Sequence, residues 1–363
     1  MQGASPTSSG PAAAPRRRLS KRRRAVFALV PLCVLGVAGE LLARGYRASR
    51  GVSPFSSGSY RDLRIDLIRR SYPAAHDPEL GYVPRPGFCS SDNQWHALVT
   101  IDRDGMRENG APRPTGDWVL AAGDSFTFGD QVGDADTWPA RLERELARPV
   151  RNGGVFGYGF AQTVMRARRM LAAQPARDLV LSFIADDLAR CEESRRFTPI
   201  PWYDLQGDRL VLRGVPVPDT ELDNELDTQL VRRLLGYSAL FDVVAWNVSP
   251  RWWVSQQREV RVHPPGTGAV IAARLLDQFV PECRARGVRL LVVLQGHGLD
   301  ERSQRVLAHA RSLGVETLDL AQEFVAAAGC DPSLRQRYFA GHMTAAGNAW
   351  VAREIAAALT AAH

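Results

Sequence analysis

The chain has no excess charge of either sign once its first 24 residues are set aside. Arg16, Arg17, Arg18, Lys21, Arg22, Arg23 and Arg24 carry seven positive charges with no acid among residues 1–24, and they account for the whole formal net charge of +7. The remaining 39 basic and 39 acidic residues balance. The high isoelectric point is therefore no argument for a nucleic-acid partner, which would require a basic face on the folded part. Cysteine is scarce too: there are five, Cys33, Cys89, Cys191, Cys283 and Cys330. None has the spacing of a zinc site, so no metal is expected, and nothing calls for a cofactor. The four beyond Cys33 permit three complete pairings. Cys283 with Cys330 and Cys89 with Cys191 are candidates, and four separate thiols are the alternative. No internal repeat is visible.

What is present near the amino terminus is one apolar run. Ala25 to Gly39 is uncharged and continues through Glu40 to Leu41, Leu42 and Ala43, nineteen residues in all. That length spans a bilayer, and the preceding arginines keep the amino terminus cytoplasmic. The expected organisation is a disordered basic tail over 1–24, a transmembrane signal-anchor over 25–43, a stalk and leader over 44–115, and a folded domain outside the membrane over 116–363. The rival reading is a cleaved signal peptide ending near Val37-Ala38-Gly39.

Composition supports a sizeable core, with 45% hydrophobic residues over 363. From residue 116 on, strand and helix signals alternate, which predicts a parallel sheet covered on both faces. Strands are expected at 119–122, 150–155, 179–184, 289–294 and 316–318, with helices over 138–147, 161–173, 270–286, 301–313 and 344–359. This is an α/β fold, a three-layer α/β/α sandwich on a five-stranded parallel sheet. An insertion at about 195–268 breaks the alternation, with a hairpin over 203–215 and a helix over 228–246. Its aromatics, among them Trp202, Tyr203, Trp252 and Trp253, either wall a cleft or pack the insertion onto the domain.

The chemistry concentrates at two places. Gly123-Asp124-Ser125-Phe126-Thr127-Phe128-Gly129 follows the apolar run Trp118 to Ala122. This strand-to-turn junction presents Ser125 at the carboxyl end of a buried strand, where open α/β sheets bind ligands and helix-start amides face anions. Far along the chain, Gly341-His342-Met343 precedes the apolar-periodic stretch from Ala349. A serine hydroxyl needs a base within hydrogen-bond reach, and histidine titrates in the useful range. Otherwise Ser125 caps a helix and His342 is a surface residue. His297, after the fourth strand, lies at the same end of the sheet.

Taken in order, these blocks resemble the SGNH (GDSL-type) hydrolase superfamily, in the manner of its membrane-tethered bacterial members. Gly123 to Gly129 is similar to the first block, with Ser125 as nucleophile. Asn152-Gly153-Gly154-Val155-Phe156-Gly157-Tyr158-Gly159-Phe160-Ala161-Gln162 resembles the second, which assigns the Gly157 amide, beside that of Ser125, to the oxyanion. Phe183-Ile184-Ala185-Asp186-Asp187 resembles the third, and Gly341-His342 the last, with His342 as base. The resemblance covers about residues 116–363.

Two departures fall on functional positions. Asp186 stands where the family has an asparagine that donates to the oxyanion, and an ionised carboxylate only accepts. A carboxyl kept neutral by burial or by Asp187 would donate instead. No acid precedes His342, where Phe339, Ala340 and Gly341 lie. Orientation then comes from a backbone carbonyl, giving a Ser-His dyad, or from a distant carboxylate, Asp331 or Asp319. The function this implies is acyl-ester hydrolysis outside the cytoplasmic membrane on an ester-bearing small molecule, a lipid or an envelope glycan, with no nucleic acid involved. The alternatives are an O-acyltransferase or deacetylase on an envelope polysaccharide, and a degenerate member that binds glycan or scaffolds partners.

Overall fold

The computed structural model describes residues 20–49, 58–110, 112, 114–196, 198–219, 229–254 and 259–361. The expected disordered tail lies largely outside them. The chain divides into two compact units, Asp62–Leu230 with Val254–His363, and Met1–Arg61 with Val231–Trp253.

The larger unit is built on five parallel strands: β1 (Val119–Ala122), β2 (Val150–Asn152), β3 (Asp178–Phe183), β4 (Arg289–Leu294) and β5 (Glu316–Asp319), ordered β5-β4-β3-β1-β2. β1 and β3 are buried along their whole length, as strands covered on both faces must be. Alternate residues serve opposite layers. Leu120, Ala122, Leu179, Leu181, Phe183, Leu290, Val292 and Leu294 pack under the helices Phe160–Ala173, Thr267–Ala285 and Glu301–Ser312. Val119, Ala121, Val180, Leu291 and Val293 face the helices Trp138–Leu146, Leu320–Cys330 and Ala345–Ala361. The result is a three-layer α/β/α sandwich. Its strand order reverses between β1 and β3, and in open α/β sheets the crevice at that reversal, outside the carboxyl ends, is where ligands bind.

Two helices between β5 and His342 went unread in the sequence, Leu320–Cys330 and Ser333–Tyr338. The first is capped by Asp319, whose carboxylate accepts from the Gln322 amide. Ahead of the sheet, Ala74–Asp77 pairs with Gly81–Pro84 and Cys89–Ser90 with Val99–Thr100. Leu80, Tyr82, Val99 and Ile101 pack there on Phe128 and Val155, so these leader strands join the domain core. All five cysteines are free, with Cys191 and Cys283 buried and Cys89 and Cys330 exposed, so neither candidate disulfide forms.

In the smaller unit the first helix spans Lys21–Ser49, longer than the apolar run. An 18-residue window within Val26–Ser49 has a mean hydropathy of 2.3 and is almost wholly exposed, and the helix is long and apolar enough to cross a membrane. The single helix expected over 228–246 is two, Gln229–Leu235 and Ala239–Val248, broken at Gly236. Glu40, the one acid in the apolar run, caps the second of these helices, its carboxylate accepting from the amides of Ala239 and Leu240 and from the Ser238 hydroxyl. It thereby satisfies donors at a helix start that have no intrahelical partner. Trp253 is fully buried, its indole donating to Asp242 at 2.8 Å and its ring against Phe241.

Candidate active site

Ser125 follows β1 and opens the short helix Ser125–Phe128. Asp124 caps that helix, its carboxylate accepting from the Phe126 amide at 3.0 Å. Gly123 is dictated by close approach, since a Cβ there would lie 2.0 Å from the Thr127 Oγ1. The backbone at the turn therefore folds tightly enough to aim the Ser125 Oγ out of the sheet's carboxyl end. Among the described residues the amides of Ser125 and Gly157 make no hydrogen bond. Both are open donors of the kind an oxyanion takes.

His342 sits in a two-stranded ribbon, Phe339–Ala340 paired with His342–Met343. Its Nε2 lies 3.0 Å from the Ser125 Oγ, and the Phe126 ring lies 5.4 Å from the imidazole. Burial, with the charge of Arg190 adding to it, pushes the imidazole down to about 4. A neutral imidazole at ordinary pH is the form that accepts a proton.

The two carboxylates named as partners for His342 are elsewhere. Asp319 caps a helix and accepts from the Gln304 amide at 2.6 Å. Asp331 turns onto its own loop, taking the Ser333 amide and hydroxyl. What faces the imidazole is Asp130, whose Oδ2 lies 3.5 Å from Nε2, and Gln131, whose side-chain amide nitrogen lies 3.5 Å from Nδ1. Gln131 also accepts from the His342 backbone amide at 3.3 Å. Both follow directly on the first block, at Gly129-Asp130-Gln131. Arg107 holds that loop, donating to Asp134 Oδ1 and to the carbonyls of Phe128, Gly129 and Val132. Burial, reinforced by Asp124, raises the Asp130 carboxyl well above the usual range despite Arg107.

In the third block the two aspartates have different environments. The Asp186 side chain is 78% exposed and 4.0 Å from an Arg190 nitrogen, so it is not the buried carboxyl of the pair. Asp187 is the buried one; it accepts from the Ile184 amide at 3.0 Å and from Arg190 at 2.6 Å. Arg190 also donates to the Tyr158 carbonyl at 2.9 Å and lies 3.6 Å from Asp124 Oδ2. The first, second and third blocks are thus tied together through one guanidinium. Arg190 carried no visible signal beyond its spacing from Asp187, one helical turn on.

A cavity of about 420 Å³ is lined by Gln131, Ala340 and Met343, neighbours of His342 in sequence or by contact, and by Trp95, His96 and Thr344 among others; neither Ser125 nor His342 is among its walls. The insertion aromatics are not among its walls. Trp202 stands edge-on to His263, and Tyr203 joins the core. His297 is held by Arg335 at its carbonyl and ring nitrogen and leans on Phe339. Among the described residues no group of metal-ligating side chains is found.

No family model matches the chain, and no curated protein matches it. Among solved structures the chain is similar to TesA, at 15% identity and a TM-score of 0.38 over 67% of this chain and 98% of that one. It is similar to a catalytic mutant of Axe2, an acetylxylan esterase from Geobacillus stearothermophilus, at 13% identity and a TM-score of 0.38 over 68% of this chain and 95% of that one. LAE5, an alpha/beta hydrolase enzyme from the metagenome of Lake Arreo, is similar at 13% identity and a TM-score of 0.38, over 68% and 95%. At that distance the likeness is one of fold alone.

Proposed function

We propose that the protein is an SGNH-type acyl-ester hydrolase whose nucleophile is Ser125 and whose base is His342. The observation that carries this reading is the 3.0 Å approach of His342 Nε2 to Ser125 Oγ across 217 positions of sequence. His342 takes the hydroxyl proton as Ser125 Oγ bonds to the ester carbonyl carbon. The tetrahedral oxyanion is received by the Ser125 and Gly157 amides. Its collapse expels the alcohol, protonated by His342, and leaves an acyl-serine. Water, activated by the same imidazole, releases the acid and restores the serine. The cavity beside Gln131 and Met343 supports a substrate larger than the reacting group alone.

Turnover of a chromogenic acyl ester by the full chain in detergent micelles tests the reading. Wild type is expected to turn over, with Ser125→Ala at least about 10³ slower. Equal rates in the two would exclude this site, and transfer of the acyl group to a supplied glycan in preference to water would make the protein an O-acyltransferase.

We place the domain outside the cytoplasmic membrane, anchored by the helix Lys21–Ser49 with its arginines inside. Cys89 and Cys330 are exposed, so an impermeant thiol reagent should reach them once any outer barrier is opened. A cysteine placed at Ser8 should stay shielded in intact cells. The reversed pattern rejects the orientation, and a mature amino terminus near Glu40 replaces the anchor with a signal peptide.

A further inference from the structure

Among the described residues the Ser125–His342 pair has no carboxylate at Nδ1, and what stands there is an amide whose orientation is fixed by a second contact. The Gln131 side-chain oxygen accepts from the His342 backbone N–H at 3.3 Å. A backbone N–H only donates, so the oxygen of the Gln131 amide must be the atom turned to it. The nitrogen is left facing Nδ1 at 3.5 Å, and that nitrogen only donates as well. Nδ1 must therefore present its lone pair, which puts the proton of the neutral ring on Nε2, 3.0 Å from Ser125 Oγ.

The backbone is shaped for this contact. Gln131 has φ of 75°, in the left-handed region that a residue with a side chain seldom adopts. Such outliers gather at functional sites because surrounding structure must hold them. Opposite, Gly341 has φ of 89°, and a Cβ there would lie 3.0 Å from the Gln131 amide nitrogen. Glycine at 341 lets the Gln131 amide lie against the histidine loop.

We infer that Gln131 is a positioning residue that holds His342 in the Nε2–H tautomer, so that the resting imidazole donates to Ser125 and must lose that proton, or pass it to Nδ1, before it acts as a base. The consequence is a slow enzyme. An amide in place of the carboxylate that faces this ring nitrogen lowers turnover by as much as ~10⁴ in serine hydrolases, because it imposes this tautomer. Gln131→Glu reverses the polarity without changing the shape. One carboxylate oxygen still accepts from the His342 backbone, and the other accepts from Nδ1–H, freeing the Nε2 lone pair for Ser125.

The kinetic consequence rests on the proposed acyl-ester reading, while the tautomer does not. Nitrogen NMR of the full chain in micelles, labelled with ¹⁵N in its histidine rings, reads the tautomer directly. His342 is assigned among the seven histidines by its absence from the His342→Ala spectrum. At neutral pH the wild type should show an unprotonated Nδ1 and a protonated Nε2, and Gln131→Glu should exchange the two. Gln131→Met, which can neither donate nor accept strongly, should show a mixture. Asp130→Asn serves as the control, because Asp130 Oδ2 is the other side-chain oxygen near Nε2. A wild type with its proton on Nδ1 overturns the inference. So does a tautomer that changes in Asp130→Asn and not in Gln131→Glu. With the tautomer exchanged, kcat of Gln131→Glu should rise at least about tenfold with KM little altered, and an unchanged kcat would deny the tautomer its kinetic role. Absence of ester turnover in every variant would count against the proposed function and leave the spectroscopic result to decide the tautomer.

Discussion

The imidazole of His342 and the guanidinium of Arg190 are coupled: the positive charge of Arg190 adds to burial in pushing the imidazole down to about 4, from an ordinary value of 6.5. Asp130 faces the same ring, and burial, with Asp124 adding to it, raises its own carboxyl well above the usual range. The acid limb of kcat/KM is therefore expected near pH 4, since below it the base is charged. The sign for stability follows from the same values. Between about pH 6.5 and 4 the unfolded chain binds a proton that the folded chain refuses, so this group's contribution to stability falls as pH drops through that window. A kcat/KM profile taken from about pH 3.5 to 8 checks it, and a limb near 6.5 would show a ring that is neither buried nor near Arg190.

Arg190 is also what keeps two buried carboxylates tolerable. Asp124 and Asp187 both have raised pKa values because burial disfavours their charge, and Arg190 works against that rise in each. Arg190→Leu would leave them unpaired. Denaturant unfolding should show a loss of about 3–5 kcal/mol, with proton uptake accompanying folding of the variant. A loss under about 1 kcal/mol would mean that the charges are solvated.

Arg107 does the same for the loop that carries Asp130 and Gln131. Its fully buried guanidinium forks across four carbonyls, those of Leu98, Phe128, Gly129 and Val132, and Asp134, a geometry that lysine cannot reproduce. Arg107→Lys should cost about 2 kcal/mol or more and lower ester turnover as the loop loosens. Unchanged unfolding and turnover would make this staple dispensable.

The centre of the sheet was legible in the sequence because β1, β3 and β4 each carry a short apolar run closed by a polar or glycine junction. Val119–Ala122 and Arg289–Leu294 come out at the expected bounds, and β2 ends early only because Gly153 and Gly154 leave the ladder. The helices Leu320–Cys330 and Ser333–Tyr338 were missed: one is an alanine-rich stretch, the other a polar turn without an apolar face. The approach of His342 to Ser125 was legible because a strand-terminal serine and a distant histidine can serve one reaction. Gln131 was not, since an uncharged residue carries no chemical signature and its role comes from a positive φ and a facing glycine. Asp187 and Arg190 were hidden for a related reason, because adjacent Asp186 and Asp187 look alike until burial separates them.

Asp186 was expected to perturb the oxyanion through its charge. Its 78% exposure means that water screens it, and at a dielectric near 80 a unit charge about 4 Å away is worth only ~1 kcal/mol. Asp186→Asn should change kcat by no more than about fivefold. A gain of about a hundredfold would mean that the side chain at 186 reaches the oxyanion and that asparagine has supplied the missing donor.

The most direct test of the account is the intact mass of the full chain after treatment with a serine-reactive fluorophosphonate, run beside Ser125→Ala and His342→Ala. Wild type should gain one phosphonyl adduct located by peptide mapping to Ser125, Ser125→Ala none, and His342→Ala at a rate at least about 10² lower, because the hydroxyl is inert without its base. An adduct that persists in Ser125→Ala, or a wild type that never reacts while remaining folded, would contradict the claim that Ser125 and His342 form a nucleophilic pair.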